Sequence, residues 1–96
     1  MLNVQTVSTT AGASVEVNLN CKAERVLVKN FGEADIWVAD VDTATKTSGM
    51  VRIPGGAAQL ITVNDKSVWP NMTMDKVYVY ADEASQDSVE IQAIGW

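Results

Sequence analysis

Val77-Tyr78-Val79-Tyr80, read together with Ile36-Trp37-Val38, decides the fold of this chain. Successive side chains of a strand point to opposite faces, so Val77, Val79, Ile36 and Val38 fall on one side and Tyr78, Tyr80 and Trp37 on the other. Neither stretch has helical spacing. Val26-Leu27-Val28 and Leu60-Ile61 repeat the pattern of bulky residues at consecutive positions. A small antiparallel sandwich has one inside face per sheet, so the second apolar face is expected to be covered by another protein chain. Branched aliphatics pack closely between sheets, which assigns Val26, Val28, Ile36, Val38, Val77, Val79, Val89 and Ile91 inward. The aromatic set is left for an interface.

Outward from these stretches the chain reads as short strands without a helix. The segments are Leu2–Ser8, Val15–Leu19, Arg25–Asn30, Ala34–Asp40, Met50–Ile53, Ala58–Val63, Lys76–Ala81 and Ser88–Ile94. Turn chemistry separates them: Ala11-Gly12-Ala13 as a loose turn, Asn30-Phe31-Gly32-Glu33 as a hairpin with Gly at positive φ, and Pro54-Gly55-Gly56 as a hard break. Each is expected to join neighbours that pair antiparallel. The expected fold is all-β: one small antiparallel β-sandwich, jelly-roll or Ig-like, of about seven to eight short strands over residues 1–96. The longest gaps are residues 41–49, rich in Thr, Ser and Asp, and residues 64–75, which carry Val68-Trp69-Pro70 and Met72. The first is expected to be an exposed loop. In the second, Trp69 either caps an open end of the sandwich or anchors a partner.

Ninety-six residues, 47% apolar and 20% charged, describe one globular domain with a modest core. No apolar run approaches the ~18 residues of a membrane span, and Met-Leu-Asn-Val-Gln-Thr has no basic and apolar leader pattern. Synthesis in and for a cytoplasm is the expectation. The single cysteine, Cys21, is expected to be a small half-buried side chain at a strand end. Net charge is −5, twelve acids against seven scattered bases, which speaks against nucleic-acid binding because phosphate neutralisation needs clustered Lys and Arg. Asp82, Glu83, Asp87 and Glu90 are read as a solubilising surface or a contact for a basic patch.

The chain has no histidine, so the commonest general base and zinc ligand are missing, and with one cysteine a zinc site is not expected. Glu33/Asp35 and Asp40/Asp42 sit beside turns, where carboxylates are ordinarily solvated. Asp40-Val-Asp42 opens like a calcium loop, but Ala44, Thr45 and Val51 occupy the next ligand, glycine and glutamate positions. A looser site from Asp35, Asp40 and Asp42 stays open. No catalytic residue, cofactor or metal is assigned. The residues expected to contact partners are Trp37, Tyr78 and Tyr80 on the sheet, Trp69 in its loop, and Trp96 after Gly95. Exposed aromatic rows also stack sugars, which is a second reading.

From Arg25 to Trp96 the order of blocks is a strand ending in Lys29-Asn30, a turn with Gly32, and Ala34-Asp35-Ile36-Trp37-Val38. A variable polar loop, Ile53-Pro54-Gly55-Gly56, a strand, Val77-Tyr78-Val79-Tyr80-Ala81 and a short last strand follow. This resembles the small β-sandwich structural proteins of tailed bacteriophages, the head decoration (cement) and fibre-type accessory proteins. Met1–Cys21 matches least, and Ala39-Asp40 replaces the Gly that usually follows the aromatic strand. The resemblance implies a non-enzymatic virion protein, made in the host cytoplasm, that binds the major capsid protein or another virion protein on the outer shell. It further implies a homo-oligomer, with a trimer favoured by the threefold positions of a shell. The alternative is a carbohydrate- or receptor-binding module of a phage tail or baseplate, and a cellular β-sandwich adaptor is a third reading.

Overall fold

The computed structural model describes residues 2–62 and 74–95. Among them are seven strands and no helix: β1 (Leu2–Thr9), β2 (Ala13–Asn30), β3 (Ile36–Ala39), β4 (Val51–Ile53), β5 (Ala58–Thr62), β6 (Met74–Ala81) and β7 (Ser85–Gly95). All ladders are antiparallel and run β1-β7-β2-β6-β3-β4, with β5 also on β2. This is the all-β architecture expected from the alternating stretches.

The long strand β2 builds both layers. Its first half, from Ala13 to Asn18, pairs with β6, whereas Arg25 to Asn30 pairs with β7 on one edge and β5 on the other. Between them the register slips twice, between Asn18 and Ala23 against β6 and between Ala23 and Arg25 against β7. Such bulges bend a strand and let it pass from one sheet to the next. Asn20 adopts φ 58°, with its amide donating to the Asn18 side chain, a left-handed conformation that Asn tolerates better than most residues. The second slip, between Ala23 and Arg25, switches parity: Val17, Leu19, Cys21 and Ala23 point inward at odd positions, Val26, Val28 and Asn30 at even ones. The expected strands Val15–Leu19 and Arg25–Asn30 are therefore one element, and Cys21 lies buried in its middle rather than at a strand end.

All eight aliphatic residues assigned inward are at most 3% exposed and belong to one core cluster. The expected hairpins are the correction. Among the described residues, only β3 and β4 are successive strands that pair; Ala11-Gly12-Ala13, residues 31–35, residues 54–57 and residues 82–84 each carry the chain from one sheet to the other. Gly32 does not have the positive φ of a hairpin turn. Its amide instead donates to Asn30 Oδ1, while Asn30 Nδ2 donates to the carbonyls of Ala34 (2.8 Å) and Ile53 (3.1 Å). Asn30 is 2% exposed, and these three bonds satisfy most of its amide, as burial of a polar side chain requires.

The break at Pro54 closes with Ala57 N–H donating to Pro54 O (3.0 Å), and Gly56 at φ 79° supplies the left-handed corner. Gly55 passes so close to the 31–35 turn that a Cβ there would lie 2.2 Å from the Glu33 carbonyl oxygen. The two crossover turns thus clasp one another: the Asn30 amide donates to the Ala57 carbonyl, and the Asn30 carbonyl accepts from the Gly56 amide, both at 2.9 Å. On the far seam, Gln5 Nε2 donates to the Asn18 carbonyl, joining β1 to the first half of β2.

Candidate functional site

The fold has two outer faces, and the residues expected to meet partners divide unequally between them. On the sheet of β6, β3, β4 and the first half of β2, Trp37 and Tyr80 are directly paired across strands. Their rings meet edge to face, with centroids 6.1 Å apart and planes at 68°. They face outward, opposite to Val38 and Val79, as the alternation requires.

They are nevertheless not bare, because the 40–50 segment between β3 and β4 returns across them. Lys46 places its ammonium 4.1 Å from the Trp37 ring centroid and 5.1 Å from that of Tyr80. The same ammonium binds both Asp82 carboxylate oxygens at 2.6 and 2.7 Å. A cation held over two ring faces and anchored by a carboxylate leaves the rings half-buried within their own chain. Around them the face is laced with charge: Arg52 binds Asp35 at 2.6 Å and Lys76 binds Glu16 at 3.4 Å. Tyr78 donates its hydroxyl to the same Glu16 (3.2 Å). Desolvation first, then the hydrogen bond and negative charge of Glu16, hold the Tyr78 phenol above its ordinary range. Glu16 also raises the Lys76 ammonium, through its hydrogen bond and then its charge.

Beside Tyr80, the 44–47 stretch and the Gly12-Ala13-Ser14 corner enclose an open cleft of about 430 Å³. Asp35 is committed to Arg52, and among the described residues no group of three or more carboxylates or thiols is placed to hold a metal. The loose calcium site of Asp35, Asp40 and Asp42 is thus not assembled there. Trp69 and Trp96 lie outside the described residues.

The other outer face belongs to β1, β7, the second half of β2 and β5, and the sequence analysis did not single it out. Cross-strand register arranges its outward side chains in three rows. Leu2, Ile94, Arg25 and Thr62 form the first; Val4, Gln92, Leu27 and Leu60 the second; Thr6, Glu90, Lys29 and Ala58 the third. Leu2 is 61% exposed, Leu60 51%, Val4 50% and Ile94 44%, and one ion pair, Lys29–Glu90 at 3.5 Å, lies at the edge of the patch.

This exposure is a consequence of register. In β1 the inward positions are Asn3, Gln5, Val7 and Thr9, fixed by Val7 opposite Val89 and by Thr9 Oγ1 donating to Glu83 O (2.9 Å). A one-residue slip would turn Leu2 and Val4 inward and expel Val7 and Thr9. The chain keeps two apolar side chains outside although their strand also offers Asn3 and Gln5, a departure from maximal burial of the kind that marks interaction surfaces. The signal was present in Leu2-Asn3-Val4-Gln5, whose apolar residues share parity with Thr6 and not with Val7. Comparison with protein-family models, with characterised proteins and with solved structures finds no match.

Proposed function

We propose that this chain is a non-enzymatic structural protein of a bacteriophage virion, a decoration protein that assembles on the outer surface of the capsid shell and stabilises it. The observation that carries the reading is the exposed apolar face of β1, β7, β2 and β5, with Leu2, Val4, Leu60 and Ile94 each more than two-fifths exposed among the described residues. A flat sheet face of aliphatic side chains offers shape and desolvation to another protein surface and little to a small polar ligand. The net charge of −5 suits an outer surface better than a DNA-facing one. The phage-like order of turn and strand blocks from Arg25 onward supplies the shell as the partner. Mechanistically, many copies each bury a modest patch across subunit boundaries, and their multivalent contact opposes the pressure of packaged DNA.

Particles lacking the protein are expected to assemble but to release DNA at lower temperature, or on dilution of magnesium, and to regain resistance when the purified chain is added. Equal resistance of depleted and complete particles defeats the decoration reading. A second reading, a carbohydrate- or receptor-binding module of a tail or baseplate, is favoured by the cleft of about 430 Å³ beside Tyr80, whose lining includes Ser14, Thr45 and Thr47 hydroxyls. Saturable glycan-array binding that Tyr80→Ala removes would promote it.

A further inference from the structure

We infer that the apolar face of β1, β7, β2 and β5 is occupied by a second copy of this chain, packed face to face about a two-fold axis that runs along the strands between β7 and β2. The inference rests on the proposed function only in treating this face as an association surface. Its basis is the cross-strand register, which makes the face complementary to itself under that one rotation. Two sheets that face each other in an isologous pair are related by an axis lying in the plane between them. With the axis along the strands, each row meets the same row of the other copy in reversed strand order. Val4 then covers Leu60, Gln92 covers Leu27, and Glu90 of each copy meets Lys29 of the other.

The two intrachain Lys29–Glu90 pairs, at 3.5 Å and about one-third exposed, thereby join into an alternating four-charge array at one end of the contact. The axis at right angles to the strands gives the opposite result. It places Arg25 of one copy against Lys29 of the other, opposing like charges, and separates Glu90 from the second copy's Lys29. Charge thus selects one of the two rotations, and sheets packed at the ordinary separation of about 10 Å, crossing at about 30°, leave room for these side chains to interdigitate. The unit in solution is a pair, not the trimer that the phage resemblance favoured, and a shell would compete with the second copy for this same face.

Sedimentation velocity of the purified chain tests this, followed by charge reversal at the two positions. The expected result is a species of twice the 10.3 kDa chain mass across a concentration series reaching about 1 mM. Leu27→Glu should abolish it, and Lys29→Glu or Glu90→Lys alone should weaken it at least about tenfold. An equimolar mixture of the two reversed variants should pair again, because the altered position 29 of one meets the altered position 90 of the other. Thermal melts of each variant separate lost pairing from lost folding, and restoration in the mixture is an outcome no folding defect produces. A monomer or trimer throughout, a pair indifferent to the reversals, or a mixture that stays unpaired overturns the inference. A chain that pairs yet leaves particle stability unchanged defeats the virion reading alone; one that stabilises particles as a monomer defeats the pair alone.

Discussion

The two outer faces of this molecule share a strand and differ in how they treat their apolar side chains. On the β6-β3-β4 face the large aromatics Trp37 and Tyr80 lie under Lys46 from their own chain, flanked by the Arg52–Asp35 and Lys76–Glu16 pairs. On the β1-β7-β2-β5 face smaller aliphatics are exposed, and the Lys29–Glu90 ion pair sits at the margin. Side-chain size is therefore a poor guide to which surface is sticky. A wide ring offers a face on which a long cationic side chain can lie, whereas a leucine offers neither a quadrupole nor an acceptor to hold one. Among the described residues, the aromatic face is overlain by its own loop, while the aliphatic one keeps its side chains exposed.

The sharpest way to test that division sets the core against both faces. Val38→Asp, at a site 1% exposed, should cost more than about 3 kcal/mol and abolish the cooperative melt, because an unpaired carboxylate cannot be solvated there. Leu60→Asp on the open face should move stability by no more than about 0.5 kcal/mol in the unpaired chain. Equal melting of the two variants would mean that the strand register is wrong.

Next in size, Trp37→Ala should cost about 1–2 kcal/mol although Trp37 points away from the core, since it removes the Tyr80 edge contact and the seat of Lys46. Leu60→Ala, measured at a dilution where the chain is unpaired, should be near neutral. Denaturant midpoints of the two variants compare the faces directly, and a Leu60→Ala loss as large as that of Trp37→Ala would show that the aliphatic face is covered within the chain. Lys46→Ala should cost only about 0.5 kcal/mol, because its ion pair with Asp82 is more than a third exposed and screened. It should also make the Trp37 indole more accessible to a fluorescence quencher. Unchanged quenching would mean that the loop does not shield the ring.

The smallest effect is a titration. The Tyr78 pKa is raised above 10.0 by partial desolvation and then by Glu16, and that of Lys76 above 10.5 by Glu16. In both cases the folded state holds its proton more tightly than the unfolded one. The associated stability is thus fully present below the unfolded values near 10.0 and 10.5 and is lost as pH rises through the folded ones. Ultraviolet titration should place the Tyr78 phenolate transition above 10.0 in the parent and lower in Glu16→Gln. A transition indifferent to Glu16 would remove that carboxylate from the account of the aromatic face.

Much of the fold could be read in the residues because a strand's faces are set by local geometry. Parity sets Val26, Val28, Ile36, Val38, Val77, Val79, Val89 and Ile91 apart from their neighbours, and the close packing of branched aliphatics turns them inward. The outward direction of Trp37, Tyr78 and Tyr80 follows from the same rule. Which strands pair is a non-local matter, and there the turns misled. Asn30-Phe31-Gly32-Glu33 has the composition of a hairpin, yet Asn30 spends its amide on Ala34, Gly32 and Ile53 to hold a crossover between sheets. Likewise the passage of β2 from one sheet to the other depends on the two register slips between Asn18 and Arg25, whose cost only the two sets of partner strands can offset.

By itself the sequence determined the alternation and hence the core, because both depend only on the geometry of an extended backbone. Tertiary structure alone decided that Lys46 covers the aromatics and that, among the described residues, Leu2, Val4, Leu60 and Ile94 stay exposed. Covering is a relation between segments far apart in the chain, and parity within a strand carries no information about what will lie across it.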